Sequence, residues 1–457
     1  MSTSADPGVG GDGGTDGEDD DGATDGPGPG SDDGTPAGPP DFDPSFAMQR
    51  IDQALAAGAP GLAVAIVVDG YPVFHGGFGV KTPGGAAVGE HTLFNLASVT
   101  KLATASTILA LAEEGKLSTS DPAVVHTPNL TIAGGSDAVT IHHLLTHGSG
   151  IGDPANYGAT IAGTLASNTL DRWAPPGAVF NYSNWGYTVA GQVAARASGM
   201  AFRDAVRTRV IEPLGMPDAT VDATVANGSD YATGQSSSFG PIVPLDLGGE
   251  MYEPAGGLWA SSADLSAWLV GLTAADETSV LSRAWQPHQR TFEVDTDFYG
   301  YGLFIDVAES PQRPRHGGSV SGYTAELTFI PATGFGVAVA TNTDDWYAGE
   351  LARALADHYG GEGQWAPPDL LQVDLAQTPG TYVDPHELGT LQVNGSGGAM
   401  QIRVDGSAEI AVQEWGPNFY SFTHPGLGEE IDFNFSPDDT GRPAYFVSRW
   451  GVAARSG

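Results

Sequence analysis

The spacing of apolar residues near the start of the chain changes from helical to extended and then back to helical. FAMQRIDQALAAG (46–58) carries apolar residues at helical spacing and ends in a glycine, which predicts a helix with a glycine cap. GLAVAIVV (61–68) is continuously apolar and predicts a buried strand, and the Asp-Gly pair after it predicts a hairpin into a second strand. A further apolar helix is predicted over residues 98–114, again followed by a glycine.

The middle of the chain is mixed, with short helices and loops that are rich in proline and glycine. Clearer helices are predicted at residues 184–199, 262–272 and 346–359. Strands are predicted at residues 299–307, 323–330 and 335–342.

The pattern changes after a proline-rich stretch at residues 365–369. Residues 370–457 hold short alternating segments, among them LQVNG, MQIRVDG and AYFVSRW, separated by Gly, Asn, Asp and Pro. This spacing predicts a small C-terminal antiparallel β domain of the barrel type. The domain before it is predicted to span residues 44–362.

Residues 1–43 contain twelve acidic residues, no basic residue and almost nothing apolar. Such a segment buries too little surface to offset its ordering entropy, which predicts a disordered acidic Gly/Asp/Pro tether. Tethers of this composition often follow the removed signal of a bacterial surface lipoprotein. We therefore expect a periplasmic, outer-surface or secreted protein whose signal and lipid anchor are absent from this sequence, while a cytoplasmic location stays open.

The overall composition removes several classes of function. The formal net charge of −37 disfavours binding to nucleic acid or to an anionic lipid surface. The absence of cysteine excludes disulfides, thiolate catalysis and cysteine-ligated metals. No apolar run reaches the length of a transmembrane helix, and the acidity by itself is typical of a highly solvated surface.

Lysine is the rarest charged residue, with three copies in the chain, and one of them, Lys101, lies three residues after Ser98. With 31 serines, average placement gives only about 0.2 such Ser-x-x-Lys pairs. On a helix this spacing puts both side chains on one face, where an apolar environment favours a neutral lysine that can act as a base. The pair is therefore a candidate nucleophile and base, although an N-capping serine with a surface lysine fits the spacing equally well.

Two later clusters add polar groups of the kind that acyl transfer needs. Tyr182 and Asn184 lie in FNYSNWGY, between a Pro-Pro-Gly loop and a predicted helix. A tyrosine hydroxyl can relay a proton, and an asparagine amide can hold a carbonyl group. His316 and the two glycines after it lead into a predicted strand pair, where a glycine-bordered edge lets a substrate approach. Each cluster alone is weak, and a second His-Gly-Gly at residues 75–77 shows how common the triplet is.

The remaining histidines and the missing motifs narrow the chemistry further. His143 and His147 have i, i+4 spacing but no glutamate between them of the zinc-protease kind, which favours a structural helix end over a metal site. The sequence has no Gly-x-Ser-x-Gly elbow of an α/β-hydrolase and no phosphate-binding glycine loop. The sequence therefore predicts neither a metal ion nor another cofactor.

Taken together and in this order, the Ser-x-x-Lys, Tyr-x-Asn and His-Gly-Gly clusters resemble the three motifs of the serine β-lactamase and penicillin-binding-protein superfamily. Stretches such as LFNLASVTK, VTIHHLLTHGSGI and PPGAVFNYSNWGY are similar too, over about residues 46–360. Within the superfamily the chain resembles the class C β-lactamase-related hydrolases, which include D-Ala-D-Ala carboxypeptidases, D-aminopeptidases and lactamase-like esterases.

The resemblance implies an α/β (α+β) fold of the β-lactamase/transpeptidase type, in which an antiparallel sheet is flanked by helices and carries a helical insertion. The C-terminal β domain resembles, more weakly, the lipocalin-like modules attached to some peptidases of the family. The partner that the resemblance implies is a small-molecule or peptide substrate, including peptides derived from peptidoglycan. It does not imply a nucleic-acid partner.

The resemblance also implies a role for each motif residue. Ser98 attacks a carbonyl group and forms an acyl-enzyme, while Lys101 and Tyr182 share the general-base and proton-return steps. Which of the two takes the first proton is left open. The implied substrate-binding residues are Asn184, His316, Gly317 and Gly318, and the implied oxyanion hole consists of the backbone N–H groups of Ser98 and Ser319.

One position departs from the lactamase pattern. Lactamases proper usually carry Lys-Thr-Gly as the third motif, and here His316 stands where they have the lysine. A neutral histidine anchors a substrate carboxylate more weakly than a permanent ammonium does. We therefore expect hydrolysis of small peptides, amides or esters. A true class C-type β-lactamase and a non-catalytic penicillin- or peptidoglycan-peptide-binding protein are the alternatives.

Overall fold

The structure is a computed structural model that describes most of the chain from residue 41 onward. The described residues are 41–152, 154, 156, 158–274, 299–305, 309–361, 364–365, 373–384, 388–416, 418–426, 430–438, 440–448 and 451–456. They belong to one compact unit. The predicted tether (1–43) and the predicted boundary between the two domains fall almost wholly outside these residues, so both stay predictions.

The helices follow the predicted pattern closely. They are α1 (Ser45–Ala57), α2 (Thr100–Glu113), α3 (Ala123–His126), α4 (Ile141–Leu145), α5 (Ile161–Ser167), α6 (Asn184–Ser198), α7 (Phe202–Val206), α8 (Glu212–Leu214), α9 (Ala223–Asn227), α10 (Glu253–Gly256), α11 (Ser262–Thr273) and α12 (Tyr347–Tyr359). A 3₁₀ turn at Ala97–Val99 leads into α2, and a π-helical turn at Arg207–Ile211 joins α7 to α8. Gly58 after α1 and Gly115 just past α2 have positive φ, as the predicted glycine caps require.

Among the described residues, the strands form a five-stranded sheet in the first part of the chain, a nine-stranded sheet near its end and three two-stranded pairs. Up to residue 365 they are β1 (Gly61–Val68), β2 (Tyr71–Gly79), β3 (Phe94–Asn95), β4 (Gly234–Ser236), β5 (Gly240–Ile242), β6 (Trp259–Ala260), β7 (Glu309–Ser310), β8 (Arg315–Val320), β9 (Tyr323–Ile330), β10 (Phe335–Thr341) and β11 (Gln364–Trp365). After it they are β12 (Gly380–Asp384), β13 (Gly389–Asn394), β14 (Gln401–Val404), β15 (Ile410–Ala411), β16 (Gln413–Gly416), β17 (Phe419–Thr423), β18 (Glu430–Pro437), β19 (Pro443–Ser448) and β20 (Gly451–Arg455).

The first sheet is antiparallel, in the order β2-β1-β10-β9-β8, and helices cover both of its faces. On β1, Leu62, Val64 and Ile66 pack with residues of α1 and α12. The residues between them pack in a second core with α2 and α11. Because both faces of β1 are buried, its sequence is continuously apolar. This arrangement confirms the predicted flanked antiparallel sheet.

Helix α2 lies between the sheet and the helical insertion and is covered all round. Every residue from Thr100 to Leu111 is buried, and α2 packs on α6 and α10 as well as on the sheet side of the core. A helix in this position needs no polar face, which explains why its sequence is almost wholly apolar or hydroxyl-bearing. Lys101 is the exception within this buried run.

The predicted strand at residues 299–307 is wrong for the residues that the structure describes there. Tyr299 and Phe304 form a single antiparallel bridge, so the chain reverses between them. Gly302 lies in the reversal with a φ of 79°, and a Cβ atom there would lie 2.7 Å from the Cα of Leu102. The turn brings this segment close against the backbone of α2.

The C-terminal β domain is an antiparallel sheet in the order β15-β14-β13-β12-β20-β19-β18-β17-β16. Its two end strands, β15 and β16, follow one another in sequence with only Val412 between them. A sheet whose end strands are adjacent in sequence must curl back on itself, so the domain is barrel-like, as predicted. Apolar side chains fill its interior, and the rings of Phe433 and Phe446 stack there at 4.2 Å between centroids. Its likeness to lipocalin-like modules stays a prediction.

Within the ranges that the structure describes, no helix has both the length and the apolar character needed to cross a membrane.

Candidate active site

Ser98 lies in the 3₁₀ turn that leads into α2, and the backbone just before it is strained. Ala97 has a φ of 45°, which residues other than glycine rarely adopt. The Asn95 side chain accepts a hydrogen bond from the Ala97 N–H at 2.8 Å, and the Thr100 hydroxyl donates to the Ala97 carbonyl at 2.6 Å. These bonds hold the strained residue in place and leave the half-buried Ser98 at the amino end of a long helix, where N–H groups favour negative charge.

Lys101 is completely buried one helical turn after Ser98. Its Nζ lies 3.1 Å from Ser98 Oγ, 2.7 Å from Asn184 Oδ1 and 2.9 Å from the carbonyl oxygen of Ala255. Burial lowers the pKa of Lys101 well below its ordinary value, and no carboxylate of the described residues opposes this effect. The structure therefore favours the neutral amine at this position.

Tyr182 and Asn184 complete the cluster around the lysine. The Tyr182 ring lies beside Lys101, with 4.9 Å between Nζ and the ring centroid, and its hydroxyl hydrogen-bonds with the Ser98 side chain. Burial raises the pKa of the Tyr182 hydroxyl above its ordinary value. Asn184 is the first residue of α6 and is exposed to solvent. The four polar residues of the first two motifs thus meet in one place, with the lysine at the bottom and the asparagine at the mouth.

A buried histidine outside the three motifs holds the backbone on both sides of Tyr182. His147 Nδ1 accepts the Ser183 N–H at 3.0 Å, and the His147 carbonyl accepts the Asn181 N–H at 2.8 Å. Its ring lies 4.3 Å from the Tyr182 ring. Burial lowers the pKa of His147 well below its ordinary value, so the imidazole is neutral and carries its proton on Nε2.

His316 is buried beside this cluster, with its ring 6.3 Å from the Tyr182 ring. The Tyr299 hydroxyl lies 2.9 Å from His316 Nε2, and His316 Nδ1 lies 2.6 Å from the carbonyl oxygen of Gly317. Because the carbonyl can only accept, Nδ1 carries the proton and Nε2 accepts from the tyrosine. Burial lowers the pKa of His316 to about 3, and the nearby Lys101 acts in the same direction. The imidazole is therefore neutral, with both nitrogens occupied by the protein.

Strand β8 presents Ser319 to the open edge of the sheet. In an antiparallel pair, alternate residues direct their N–H and C=O groups toward the partner strand and the others direct them away. Arg315 makes both of its backbone hydrogen bonds with Phe304, so its groups point away from β9. The register from Arg315 to Ser319 is unbroken, so the Ser319 N–H also points away from β9.

The two glycines of the third motif are required by close packing on opposite faces of β8. A Cβ atom at Gly318 would lie 2.2 Å from the carbonyl oxygen of Leu96, next to the nucleophile turn. A Cβ atom at Gly317 would lie 2.7 Å from a carboxylate oxygen of Glu326 and 2.8 Å from the Trp346 ring. Without a side chain at Gly318, the edge strand can approach the turn that carries Ser98.

Sequence reasoning missed three residues that shape the site. Tyr299 bonds His316, and the Tyr187 hydroxyl donates to the Leu145 carbonyl at 2.6 Å, with its ring 5.7 Å from Lys101 Nζ. His147 was interpreted only as the end of a helix. The sequence around Tyr187 and Tyr299 does not indicate which residues they contact, because only the fold brings these tyrosines to the lysine.

His143 and His147 each accept a backbone hydrogen bond through Nδ1, from two different segments. The Thr140 N–H donates to His143 Nδ1 at 3.1 Å in a capping box at the start of α4, while His147 Nδ1 accepts from Ser183. Among the described residues, no three His, Asp or Glu side chains are grouped so that they could hold a metal ion. These bonds of His143 and His147 agree with the interpretation of both histidines as structural residues.

Comparison with known proteins agrees with this geometry. The beta-lactamase family model matches residues 48–360. Penicillin-binding protein 4 of Amycolatopsis lactamdurans is 26% identical over 380 residues, which cover 75% of this chain and 98% of that protein. The solved structure of an octameric penicillin-binding protein homologue from Pyrococcus abyssi is 25% identical, with a TM-score of 0.61 over 90% of this chain and 100% of its own.

A further solved structure, the D-alanine carboxypeptidase AmpC of Burkholderia cenocepacia, aligns with 69% of this chain and 100% of its own at a TM-score of 0.58. Its 23% identity supports the fold alone. The family match, by contrast, spans more than half of the chain and includes the Ser98 cluster and the edge strand. The chain therefore belongs to the beta-lactamase family of serine hydrolases.

Proposed function

We propose that this protein hydrolyses small peptide, amide or ester substrates, including D-amino-acid peptides, through an acyl-enzyme formed on Ser98. The observation that carries the proposal is the fully buried Lys101 Nζ, 3.1 Å from Ser98 Oγ. A serine hydroxyl is a weak nucleophile until an adjacent base takes its proton, and a desolvated lysine is such a base.

The hydrogen bonds of Lys101 can all be made by a neutral amine acting as that base, and the lowered pKa of Lys101 favours this form over the ammonium. A neutral amine has two N–H donors and one lone pair. Asn184 Oδ1 and the Ala255 carbonyl can only accept, so they take the two N–H groups. The Ser98 hydroxyl has a proton to give, so the lone pair faces it. The lowered pKa of Lys101 and the raised pKa of Tyr182 favour Lys101 as the first base.

In the reaction that we propose, Ser98 Oγ bonds to the carbonyl carbon while its proton moves to Lys101. The backbone N–H groups of Ser98 and Ser319 stabilise the negative charge on the carbonyl oxygen. The Tyr182 hydroxyl then protonates the leaving group and recovers a proton from Lys101. Water attacks the acyl carbon in the same way, and its proton returns through the relay to Ser98.

We further propose that the site prefers substrates without a carboxylate next to the scissile bond. His316 is neutral, and its two ring nitrogens are bonded to Tyr299 and to a backbone carbonyl, so it offers no positive charge to such a group. The net charge of −37 adds a long-range repulsion of anions. Both features favour esters, amides and small peptides over β-lactams, which carry a carboxylate.

Within the peptide class we propose peptides derived from peptidoglycan that are cleaved at a bond away from their carboxylates, and we propose an extracytoplasmic location. The support is a relative that is named a penicillin-binding protein and the acidic composition of residues 1–43. The location can be checked by fractionating cells that express the full gene.

The test of the mechanism is Ser98→Ala. We expect the variant to lose turnover and covalent labelling by a fluorophosphonate or a fluorescent penicillin. Ser106→Ala is the matched control, because Ser106 is buried on the same helix and only bonds the Leu102 carbonyl at 2.7 Å. Turnover that survives in Ser98→Ala would overturn the mechanism.

A substrate panel tests the specificity. We expect p-nitrophenyl esters and D-amino-acid amides to be turned over faster than nitrocefin. A nitrocefin rate above the others would instead make the protein a β-lactamase, and labelling without turnover of any of them would make it a binding protein.

A further inference from the structure

The C-terminal barrel touches the loop that carries Tyr182. We call residues 168–183, between α5 and α6, the Tyr182 loop. Ala174 and Val179 of this loop form a buried apolar cluster with Val447 and Val452, which lie on the last barrel hairpin, β19–β20. Each of these four side chains is 4% exposed or less. The barrel therefore has a close-packed contact with this loop.

Two hydrogen bonds fasten the same contact. The Asn181 side-chain amide donates to the Ser448 carbonyl at 3.3 Å, and the Ser436 hydroxyl donates to the Ala178 carbonyl at 3.1 Å. Asn181 is 4% exposed, so without the barrel its amide would have to find another partner or remain unsatisfied.

Asn181 links the barrel to the catalytic cluster. Its backbone N–H donates to the His147 carbonyl, and its side chain donates to the barrel. Tyr182 is the next residue. No regular helix or strand spans the Tyr182 loop, so contacts of this kind decide where the tyrosine stands.

We propose that the barrel is a positioning domain for the catalytic tyrosine, with Asn181 as the positioning residue and the β19–β20 hairpin as the support. The inference rests on the role of Tyr182 in the proposed function. A shift of a catalytic group by 1 Å can cost about 10²-fold in rate, so a partial release of the loop should cost about tenfold. The loss should appear in the rate of acylation and only weakly in probe binding.

A matched pair of valines tests the contact. Val452 and Val393 are both buried barrel residues, 2% and 1% exposed, but Val393 packs only in the barrel interior. We expect Val452→Ala to slow Ser98 labelling by a fluorophosphonate about tenfold at saturating probe, with the half-saturating concentration little changed. Val393→Ala should lower the melting temperature as much or more, yet label at the wild-type rate well below that temperature.

A double-mutant cycle tests whether the effect passes through Tyr182. Asn181→Leu keeps the side-chain size and removes the donor. We expect it to slow labelling about tenfold in the wild type and hardly at all in Tyr182→Phe, where the hydroxyl to be positioned is already gone. A merely structural role would give the same factor in both backgrounds.

The outcomes separate this inference from the proposed function. Labelling that persists in Ser98→Ala overturns the proposed function. Labelling that requires Ser98 but proceeds at the wild-type rate in both Val452→Ala and Asn181→Leu overturns only the role of the barrel. If Asn181→Leu fails to fold, the valine pair still decides the question.

Discussion

Two buried clusters of this protein have similar burial and opposite chemistry. Around Lys101, the rings of Tyr182, Tyr187 and Tyr299 meet two neutral histidines, and almost every ring carries a polar atom with a named hydrogen-bond partner. In the barrel, the apolar ring of Phe433 stacks on that of Phe446 at 4.2 Å and meets that of Phe435 edge-on at 5.8 Å.

The difference shows how burial can serve chemistry in one place and stability in another. Burial around Lys101 makes the charged amine unfavourable, which costs stability and creates a base. Burial in the barrel removes apolar surface from water, which stabilises the fold and leaves a rigid support. A substitution in the lysine cluster should therefore lower activity more than stability, and a substitution in the barrel interior should lower stability more than activity.

The largest effect is expected from Lys101→Met. We expect the acylation rate to fall about 10³–10⁴-fold, because the base is gone, while the melting temperature stays the same or rises. Below pH 10.5, unfolded lysine binds a proton that folded Lys101 tends to release, so the stability of the wild type should rise with pH in that window. The variant should lack this rise. Labelling rates and thermal unfolding at several pH values measure both.

Lys116→Met is the matched control for that experiment. Lys116 is partly exposed and pairs with Glu114, so its loss should change neither labelling nor the pH dependence measurably. An active Lys101→Met would contradict the role of the lysine and point to Tyr182 as the first base.

Phe433→Ala should affect stability without touching the chemistry. Phe433 lies in the barrel interior, where truncating a buried phenylalanine typically costs about 3–5 kcal/mol. We expect a lower unfolding midpoint in urea and an unchanged acylation rate well below the melting temperature. A variant that loses activity while fully folded would show that the two clusters are less separate than their chemistry indicates.

The smallest effect concerns a carboxyl that is buried in the first sheet without joining the catalytic cluster. Burial raises the pKa of Glu326 to about 7, against the opposing effect of Arg315 and Arg353. Between pH 4.5 and 7 the folded state keeps a proton that the unfolded state releases, so stability should fall as pH rises through this window. The expected loss of unfolding free energy is about 3 kcal/mol.

Glu326→Gln tests that expectation, since it removes the titration. Its urea-unfolding free energy should change less between pH 5 and pH 8 than that of the wild type, whereas Glu350→Gln, at an exposed position of α12, should keep the wild-type dependence. Identical pH dependence in Glu326→Gln and the wild type would contradict a buried, protonated Glu326.

The sequence predictions were accurate where interactions between residues close in sequence set the structure, and less accurate where contacts between distant segments set it. The helix at residues 98–114 and the strand at 61–68 were predicted well, because local apolar spacing sets them. The strand predicted at Tyr299 was wrong, because packing against α2 turned the chain there. The spacing of short alternating segments predicted the barrel-type domain. The contact of that domain with Val179 joins residues more than 250 positions apart, and no sequence pattern indicates such a contact.

The same distinction divides the site. By itself, the sequence determined that a serine and a lysine stand three residues apart at the start of an apolar helix, a spacing that brings the two side chains to one side. Only the tertiary structure decided that His316 turns its imidazole to Tyr299 and that Asn181 bonds both His147 and the barrel. The physical reason is that a side chain's partners depend on which distant segments pack beside it, and spacing along the chain carries no record of that choice.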